Sequence, residues 1–178
     1  MPLFGPSKKQ KIAETLKAQA ELHFRNGEHQ KAADAYTELI RQGYYGNFPF
    51  FLRAQCHARL LEYQKAIDDW TRAISALPVG DQTDLVVALK GRADAYLEIQ
   101  EFRNALLDVN SAMLVSINLD PDPEAFFIRG RAYQYLDDHQ NAIDDFTQLI
   151  RLQPGRHQPY GLRGIQYSHI KEWGKAID

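Results

Sequence analysis

The sequence has a single cysteine, no large excess of charge of either sign and no long apolar run. One cysteine, Cys56, cannot form an internal disulfide, which excludes the disulfide-stabilised scaffolds of small secreted proteins. The 21 lysines and arginines nearly balance the 23 aspartates and glutamates, so no strong positive field is available to hold nucleic acid. No segment reaches the roughly 20 apolar residues of a membrane-spanning helix, and the N-terminus lacks the apolar stretch of a signal peptide. We therefore expect a cytoplasmic protein that binds no nucleic acid and does not insert into membranes.

The sequence also lacks the short motifs that accompany enzyme chemistry. It contains no glycine-rich phosphate loop, HExxH motif, CxxC pair or nucleophile elbow. The spacing of His23 and His29 could reach one metal ion, but the matching positions elsewhere also carry rings, which favours packing. Acidic pairs such as Asp68-Asp69 recur in the same register, and an active site is needed only once. We expect no enzyme activity, no catalytic residue, no metal and no cofactor.

What the sequence does contain is an internal repeat. Alanine recurs at intervals of 34, 39, 37 and 34 residues, at Ala32, Ala66, Ala105, Ala142 and Ala176. A second small residue lies twelve positions before each of these marker alanines, and an aromatic ring or histidine lies nine positions before each. Repetition at this period indicates an array of small structural units. We divide the chain into an N-terminal tail, 1–9, and a repeat domain, 10–178, with repeats at about 13–46, 47–80, 83–120, 122–155 and 156–178, the last truncated.

Each repeat predicts a pair of antiparallel helices. Its large and small side chains fall at steps of three and four residues, which places them on one face of an α-helix. In the fourth repeat one such face ends at Tyr133, the next begins at His139, and polar Asp137 and Asp138 lie between them. Small residues let two helix backbones approach closely, while rings fill the space around the contact. We expect helices at 10–26, 28–42, 47–61, 63–77, 83–99, 101–118, 122–136, 138–152, 157–170 and from 172 onward.

These residues resemble the tetratricopeptide repeat. The resemblance rests on segments such as Arg53-Ala54, Tyr63 to Trp70 and Pro78, and on their counterparts Arg129-Gly130 and Ala142 to Phe146. It covers roughly residues 11–178. It implies an all-α fold, a right-handed superhelical solenoid of about four and a half helix pairs. It also implies a non-catalytic scaffold that binds protein partners. In such a framework the surface residues determine which partner is bound.

Arginine and aspartate occur together, sixteen residues apart, in the second, third and fourth repeats. Both are missing from the first repeat, which has Gln19 and Ala35 at the two positions. We expect each arginine, on the first helix of a repeat, to bond the aspartate on the second helix and fix how the two helices cross. The predicted structural ion pairs are Arg53 with Asp69, Arg92 with Asp108, and Arg129 with Asp145.

The resemblance places the partner on a concave wall that the first helices line. Positions fifteen, eleven, eight and seven before each marker alanine should point into this wall, where rings and charges of both signs suit an extended peptide or a helix. An alternative is that Phe51 and Phe127 simply pack between neighbouring first helices. The candidate partner-binding residues are Lys17, Glu21, Phe24, Phe51, Gln55, Arg59, Lys90, Asp94, Leu97, Phe127, Arg131 and Tyr135.

Two further functions stay open. Some proteins of the resembled family clamp the terminal carboxylate of chaperones with lysine, asparagine and arginine side chains. This chain matches that clamp at Lys17 and Lys90 but has Glu21, Gln55 and Asp94 at its other positions, and two acids would repel the ligand. Alternatively, the chain is the regulatory arm of an enzyme that extends beyond Asp178.

The sequence ends inside the fifth repeat. Trp173 to Asp178 begin a second helix, whereas arrays of this kind normally finish with a polar capping helix. Either the molecule continues beyond Asp178, or another copy or a partner covers the exposed apolar edge. We favour continuation and expect this chain to self-associate through the truncated repeat, or to be less stable than a longer version.

Overall fold

The computed structural model describes residues 8–44, 46–117 and 120–171 of the 178-residue chain, and in these ranges all regular structure is helical. The helices are α1 (Lys8–Arg25), α2 (His29–Arg41), α3 (Asn47–Arg59), α4 (Tyr63–Ser75), α5 (Gln82–Glu98), α6 (Phe102–Val115), α7 (Pro123–Tyr135), α8 (His139–Leu152) and α9 (Gln158–His169). The all-α prediction is confirmed, and each described helix agrees with its predicted range to within about three residues. Helix α1 begins at Lys8, inside the predicted tail 1–9. The predicted tenth helix, from 172, lies outside the described residues.

The helices pack as consecutive antiparallel pairs. Helix α1 contacts α2, α3 contacts α4, α5 contacts α6 and α7 contacts α8, which are the pairs that the repeats predict. The chain divides into two compact parts, an N-terminal module (1–81) with α1 to α4 and a C-terminal module (82–178) with α5 to α9. Within each module every second helix also packs on the first helix of the next repeat. Among the described residues, no helix combines the length and the apolar character that crossing a membrane requires.

The small residues of the repeat lie where helices cross. The four marker alanines in the described residues, at 32, 66, 105 and 142, are fully buried. Beside them large rings such as Tyr36, Trp70 and Phe146 are also buried. At Gly130 an added Cβ would lie 2.8 Å from Cε1 of Phe146, so the fourth repeat requires glycine at this crossing. The predicted packing of small residues against rings is therefore present in both modules.

Helices α1, α3, α5 and α7, the first helices of the four complete repeats, all end in the same kind of turn. The residue five positions before the marker alanine has a positive φ angle, 75° at Gly27, 60° at Leu61, 64° at Gln100 and 58° at Asp137. The next N–H donates to the carbonyl five residues back, as from Glu62 to His57 at 2.9 Å. This is the Schellman closure of a helix C-terminus, which needs one left-handed residue. It reverses the chain within three residues and starts the second helix.

Candidate functional site

Three buried arginine–aspartate forks join the two helices of successive repeats. Nε and Nη2 of Arg53 donate to the two carboxylate oxygens of Asp69, both at 2.7 Å. The same bidentate bonds join Arg92 to Asp108, both at 2.7 Å, and Arg129 to Asp145, at 2.8 and 2.7 Å. The three aspartates are buried, and the bonds raise the pKa of Arg92 and of Arg129. The structure thus brings together all three of the pairs that the sequence suggests.

The arginines also reach back to the preceding repeat, which the sequence reasoning missed. Nη1 of Arg53 donates to Oγ1 of Thr37 in α2 at 2.9 Å, and Nη1 of Arg129 donates to Oδ1 of Asn110 in α6 at 3.2 Å. Each of these arginines therefore joins three helices. The sequence feature that could have indicated these bonds is the polar residue on the preceding second helix, Thr37 in one case and Asn110 in the other. These groups hold neighbouring repeats together and leave few free hydrogen-bonding groups for a partner.

The histidines of the first helices serve the hairpin turns. Nδ1 of His57 lies 2.6 Å from Oε2 of Glu62, and His23 makes the same contact with Glu28. The ring of His29 packs edge-on against Phe24, with 5.9 Å between the ring centroids. Hydrogen bonds from lysine and from histidine lower the pKa of Glu28 and of Glu62. Within the described ranges no group of three or more histidine, cysteine, aspartate or glutamate residues could hold a metal ion.

In the N-terminal module the candidate face of the first helices, α1 and α3, is largely occupied by contacts within the module. Nζ of Lys17 lies 4.4 Å from the ring centroid of Phe48 and 3.9 Å from Oε1 of Glu21. Phe51 packs edge-on against Trp70 of its own repeat, with 4.8 Å between the centroids. Its half-buried ring therefore packs on the second helix of its own repeat, which is not the packing between neighbouring first helices that the alternative describes.

The remaining candidates of this module differ in exposure. Phe24 is half-buried and packs against the hydrophobic core of the module. Gln55 is half-buried, whereas Arg59 is exposed at the end of α3. This face offers scattered polar groups rather than a continuous surface of exposed rings.

In the C-terminal module α5 lies against α7, and two of the predicted partner contacts are buried. Only 3% of Leu97 and 8% of Phe127 is exposed. Leu97 belongs to the module's hydrophobic core together with Ile128, because the small residues of α5 and α7 let the helices approach closely. The guanidinium of Arg156 covers the Phe127 ring at 4.4 Å from its centroid. The expectation that Leu97 and Phe127 contact a partner is therefore corrected: they are core residues.

Charged side chains on this side of the module are mostly paired. Nη1 of Arg131 donates to Oε1 of Glu98 at 3.2 Å, Arg156 lies 3.9 Å from Glu124, and Lys90 bonds Asp122. The last pair joins α5 to the residue that caps α7, since Oδ1 of the Asp122 carboxylate also accepts the backbone N–H of Glu124 at 2.9 Å. Lysine and arginine are thus held by acids of the same module.

Asp94 differs from these neighbours. It is exposed on α5, and no described basic group lies within ion-pair distance of it. The pKa of Asp94 is raised, mainly because the surrounding side chains remove part of the hydration of its carboxylate. The positive charge of Arg131 lowers the pKa, and the negative charges of Glu98 and Glu124 raise it. Asp94 therefore makes no ion pair within the described part of the chain, and Arg131 supplies the positive charge that acts on it.

Arg131, whose charge acts on this carboxylate, also lies against an exposed aromatic ring of α7. Tyr135 stacks on Phe102 of α6 with 4.6 Å between centroids and 10° between ring planes, and it stays half open to solvent. The guanidinium of Arg131 lies 5.8 Å from the Tyr135 centroid. We call Asp94, Arg131 and Tyr135 the Asp94 face. It combines a carboxylate that forms no ion pair among the described residues with an accessible aromatic ring.

Comparisons with known proteins agree with the repeat structure. A family model described as tetratricopeptide repeat matches residues 123–156, which contain α7 and α8. Sperm-associated antigen 1 of Mus musculus is 30% identical over 94 residues, covering 52% of this chain and 9% of that protein. Tetratricopeptide repeat protein 6 of Homo sapiens is 29% identical over 117 residues, covering 66% of this chain and 21% of that protein. The chain thus spans only a small part of the length of these relatives.

Solved structures superpose over nearly the whole chain. MamA 41-end from Desulfovibrio magneticus RS-1 has a TM-score of 0.83 at 17% identity, covering 97% of this chain and 92% of that one. YrrB, described as a TPR protein with an unusual peptide-binding site, has a TM-score of 0.75 at 17% identity over 96% of this chain and 88% of that one. At this identity the likeness shows the fold alone. With helix pairs, buried marker alanines and a repeat model that matches residues 123–156, the chain contains a tetratricopeptide repeat and has the fold of tetratricopeptide-repeat proteins.

Proposed function

We propose that the chain is a protein-interaction scaffold whose Asp94 face binds an extended peptide carrying a lysine or arginine. The observation that carries this proposal is the partly desolvated carboxylate of Asp94, which has no ion-pair partner among the described residues, together with Arg131 and the exposed Tyr135 that Arg131 contacts. Arrays of this family offer the face of their first helices to partners, so the proposal uses the surface where the fold favours binding.

The chemistry of this face favours a cationic ligand. A carboxylate that has lost part of its hydration without forming an ion pair is unfavourable in the free protein, and a bound ammonium or guanidinium would relieve that cost. Tyr135 offers an aromatic surface for an apolar side chain next to the cation in the peptide. The nearby arginine is already engaged with Glu98, so it opposes a basic ligand less than a free cation would.

The solved neighbour described as having a peptide-binding site supports the same broad role by its fold alone. We place the bound peptide along α5 and α7 in this chain because their contact within one module provides a continuous surface.

Fluorescence anisotropy with a labelled peptide of alternating arginine and leucine tests the proposal. We expect the substitution Asp94→Asn to weaken binding about tenfold, equivalent to about 1.4 kcal/mol, because it keeps the shape and removes the charge. The matched control is Asp144→Asn, which removes an exposed aspartate from the second helix α8 and should leave the affinity unchanged. Equal affinity of the Asp94→Asn variant and the unaltered chain would contradict the proposal.

The contacts of Lys90 disfavour the alternative role as a chaperone adaptor. A carboxylate clamp needs a lysine amine that is free to meet the ligand, and this amine bonds Asp122. Asp94 also places a negative charge where the clamp has arginine. We expect a peptide of acidic residues with a free C-terminal carboxylate not to bind, and Lys90→Ala not to alter that result. The role of regulatory arm in a longer enzyme and the cytoplasmic location both stay predictions of the sequence.

A further inference from the structure

The outer face of α6 carries three exposed apolar side chains in a row. Leu107 is 67% exposed, Leu114 is 69% exposed, and Ile117, just after the helix, is 70% exposed. Residues 107 and 114 lie seven positions apart and therefore on the same face of the helix, and residue 117 continues the row at its C-terminal end. We call these three residues the α6 stripe. Leucine and isoleucine at such exposure remain in contact with water unless another surface covers them.

The other repeats provide an internal comparison for these positions. The position of Leu107 carries aspartate in the three other complete repeats, at Asp34, Asp68 and Asp144. The position of Leu114 carries Arg41, Ser75 and Arg151. All six of these residues are exposed, so the helical repeat itself does not require an apolar side chain there. The third repeat therefore differs from the others at surface positions where packing within the chain gives no reason for leucine.

The groups around the α6 stripe allow it to lose water at little cost. Ser111 lies between the two leucines, and its hydroxyl donates to the backbone carbonyl of Leu107 at 2.7 Å. Helix α6 has two charged residues, and one of them, Asp108, is buried and already bonded to Arg92. Arg103, in the first turn, is thus the one exposed charged residue of α6.

From this arrangement we infer that the α6 stripe is a self-association surface, on which α6 of one chain packs antiparallel against α6 of a second copy. A stripe without acidic groups can pair with itself, since burying it strands no charge. Antiparallel pairing about Ser111 keeps the two Arg103 side chains about four helical turns apart. It also places each Arg103 near the C-terminal end of the opposite helix, whose last turn has no basic residue to offset its partial negative charge. In a parallel pair the two Arg103 side chains would lie together.

A single helix against its copy buries less surface than a stable dimer needs, so the association should be weak. Interfaces below about 1,200 Å² of total buried area belong to transient complexes, and we expect a dissociation constant on the order of 100 µM. This surface lies on the second helix of its repeat, away from the proposed peptide site on the first helices, so the inference does not depend on that proposal.

Sedimentation equilibrium of the full chain, from about 10 µM to about 1 mM, measures this association. We expect a concentration-dependent monomer–dimer equilibrium that the double substitution Leu107→Asp plus Leu114→Arg shifts to monomer across the whole range. These are the residues that the first and fourth repeats carry, so the variant should keep its helical content and melting temperature. The matched control, Leu61→Asp plus Ile165→Arg, changes two exposed apolar residues elsewhere and should leave the dimer intact.

Cross-linking locates the contact independently of stability. In the antiparallel pair Ser111 lies near the two-fold axis, so Ser111→Cys should form an intermolecular disulfide under mild oxidation, while Gln148→Cys at the same position of the fourth repeat should not. A chain that stays monomeric up to about 1 mM would overturn the inference, as would a dimer that survives the double substitution. Failure of the Ser111→Cys variant to cross-link where dimer is present would overturn it as well.

Discussion

At the scale of single residues, the forked arginines bond side chains on other helices. Arg53 bonds both oxygens of Asp69 in its own repeat and the hydroxyl of Thr37 in the preceding one. Because Asp69 is buried and the arginine nearly so, neither charge can regain water if its partner is lost. The pair therefore contributes more to the choice of one helix crossing than to the net free energy of folding.

We expect Asp69→Asn to destabilise the chain by about 3–5 kcal/mol, because it leaves the Arg53 guanidinium buried without a counter-charge. Replacing both partners, with Arg53→Met and Asp69→Leu, should cost much less. Urea unfolding followed by circular dichroism measures both effects. If the double variant were as unstable as the single one, the loss would come from packing rather than from the stranded charge.

The helix crossing at Gly130 gives a prediction about packing. Gly130→Ala adds a Cβ 2.8 Å from the buried ring of Phe146, and this clash should outweigh the better helix propensity of alanine. We expect a loss of about 1–2 kcal/mol in the free energy of unfolding. Gly161→Ala is the control, since its Cβ would meet no atom within 4 Å, and it should stabilise α9 by about 0.5–1 kcal/mol. The opposite order of the two variants in thermal unfolding would refute this account of the crossing.

At the scale of the elements, the turn after each first helix requires a left-handed residue, and only the first repeat supplies glycine there. Leu61 adopts φ 60° and its side chain is mostly exposed, so it gains little from packing. We expect Leu61→Gly to raise stability by about 0.5–1 kcal/mol, the relief of backbone strain less the extra freedom of glycine in the unfolded chain. Gly27→Ala, the reverse change in the first repeat, should lower the melting temperature. A Leu61→Gly variant that melts earlier than the unaltered chain would show that the turn is not strained.

The sequence could predict the helices because spacing alone places alanines and rings on one face. It could also suggest the arginine–aspartate pairs, since the two residue types appear and disappear together. It left open whether Phe127 packs inside the chain or meets a partner, and it did not predict that Leu97 is buried. The reason is that a position on a first helix faces either a neighbouring helix or solvent, depending on how closely the two helices approach. It likewise missed the positive φ of Leu61 and Gln100, since neither residue type favours that conformation.

At the scale of the whole molecule, we expect the proposed binding site to lower the free energy of unfolding of the unbound protein. Asp94 has a raised pKa in the folded state, so its ionisation opposes folding above that pKa, and this cost disappears as the pH falls through it toward the unfolded value. We expect Asp94→Asn to raise the melting temperature at pH 7, by an amount that shrinks as the pH is lowered. Differential scanning calorimetry of the two proteins across the acid range measures this. A stabilisation independent of pH would mean that the charge is not its cause.

The central claim is that the first helices of the C-terminal module form the partner-binding surface. The most direct measurement is an NMR titration of the isotope-labelled chain with the arginine–leucine peptide, following backbone amide shifts. We predict that the largest shifts cluster along α5 and α7, around Asp94, Arg131 and Tyr135, and that α8 stays unchanged. Shifts confined to the second helices, or no saturable shifts at all, would contradict the account.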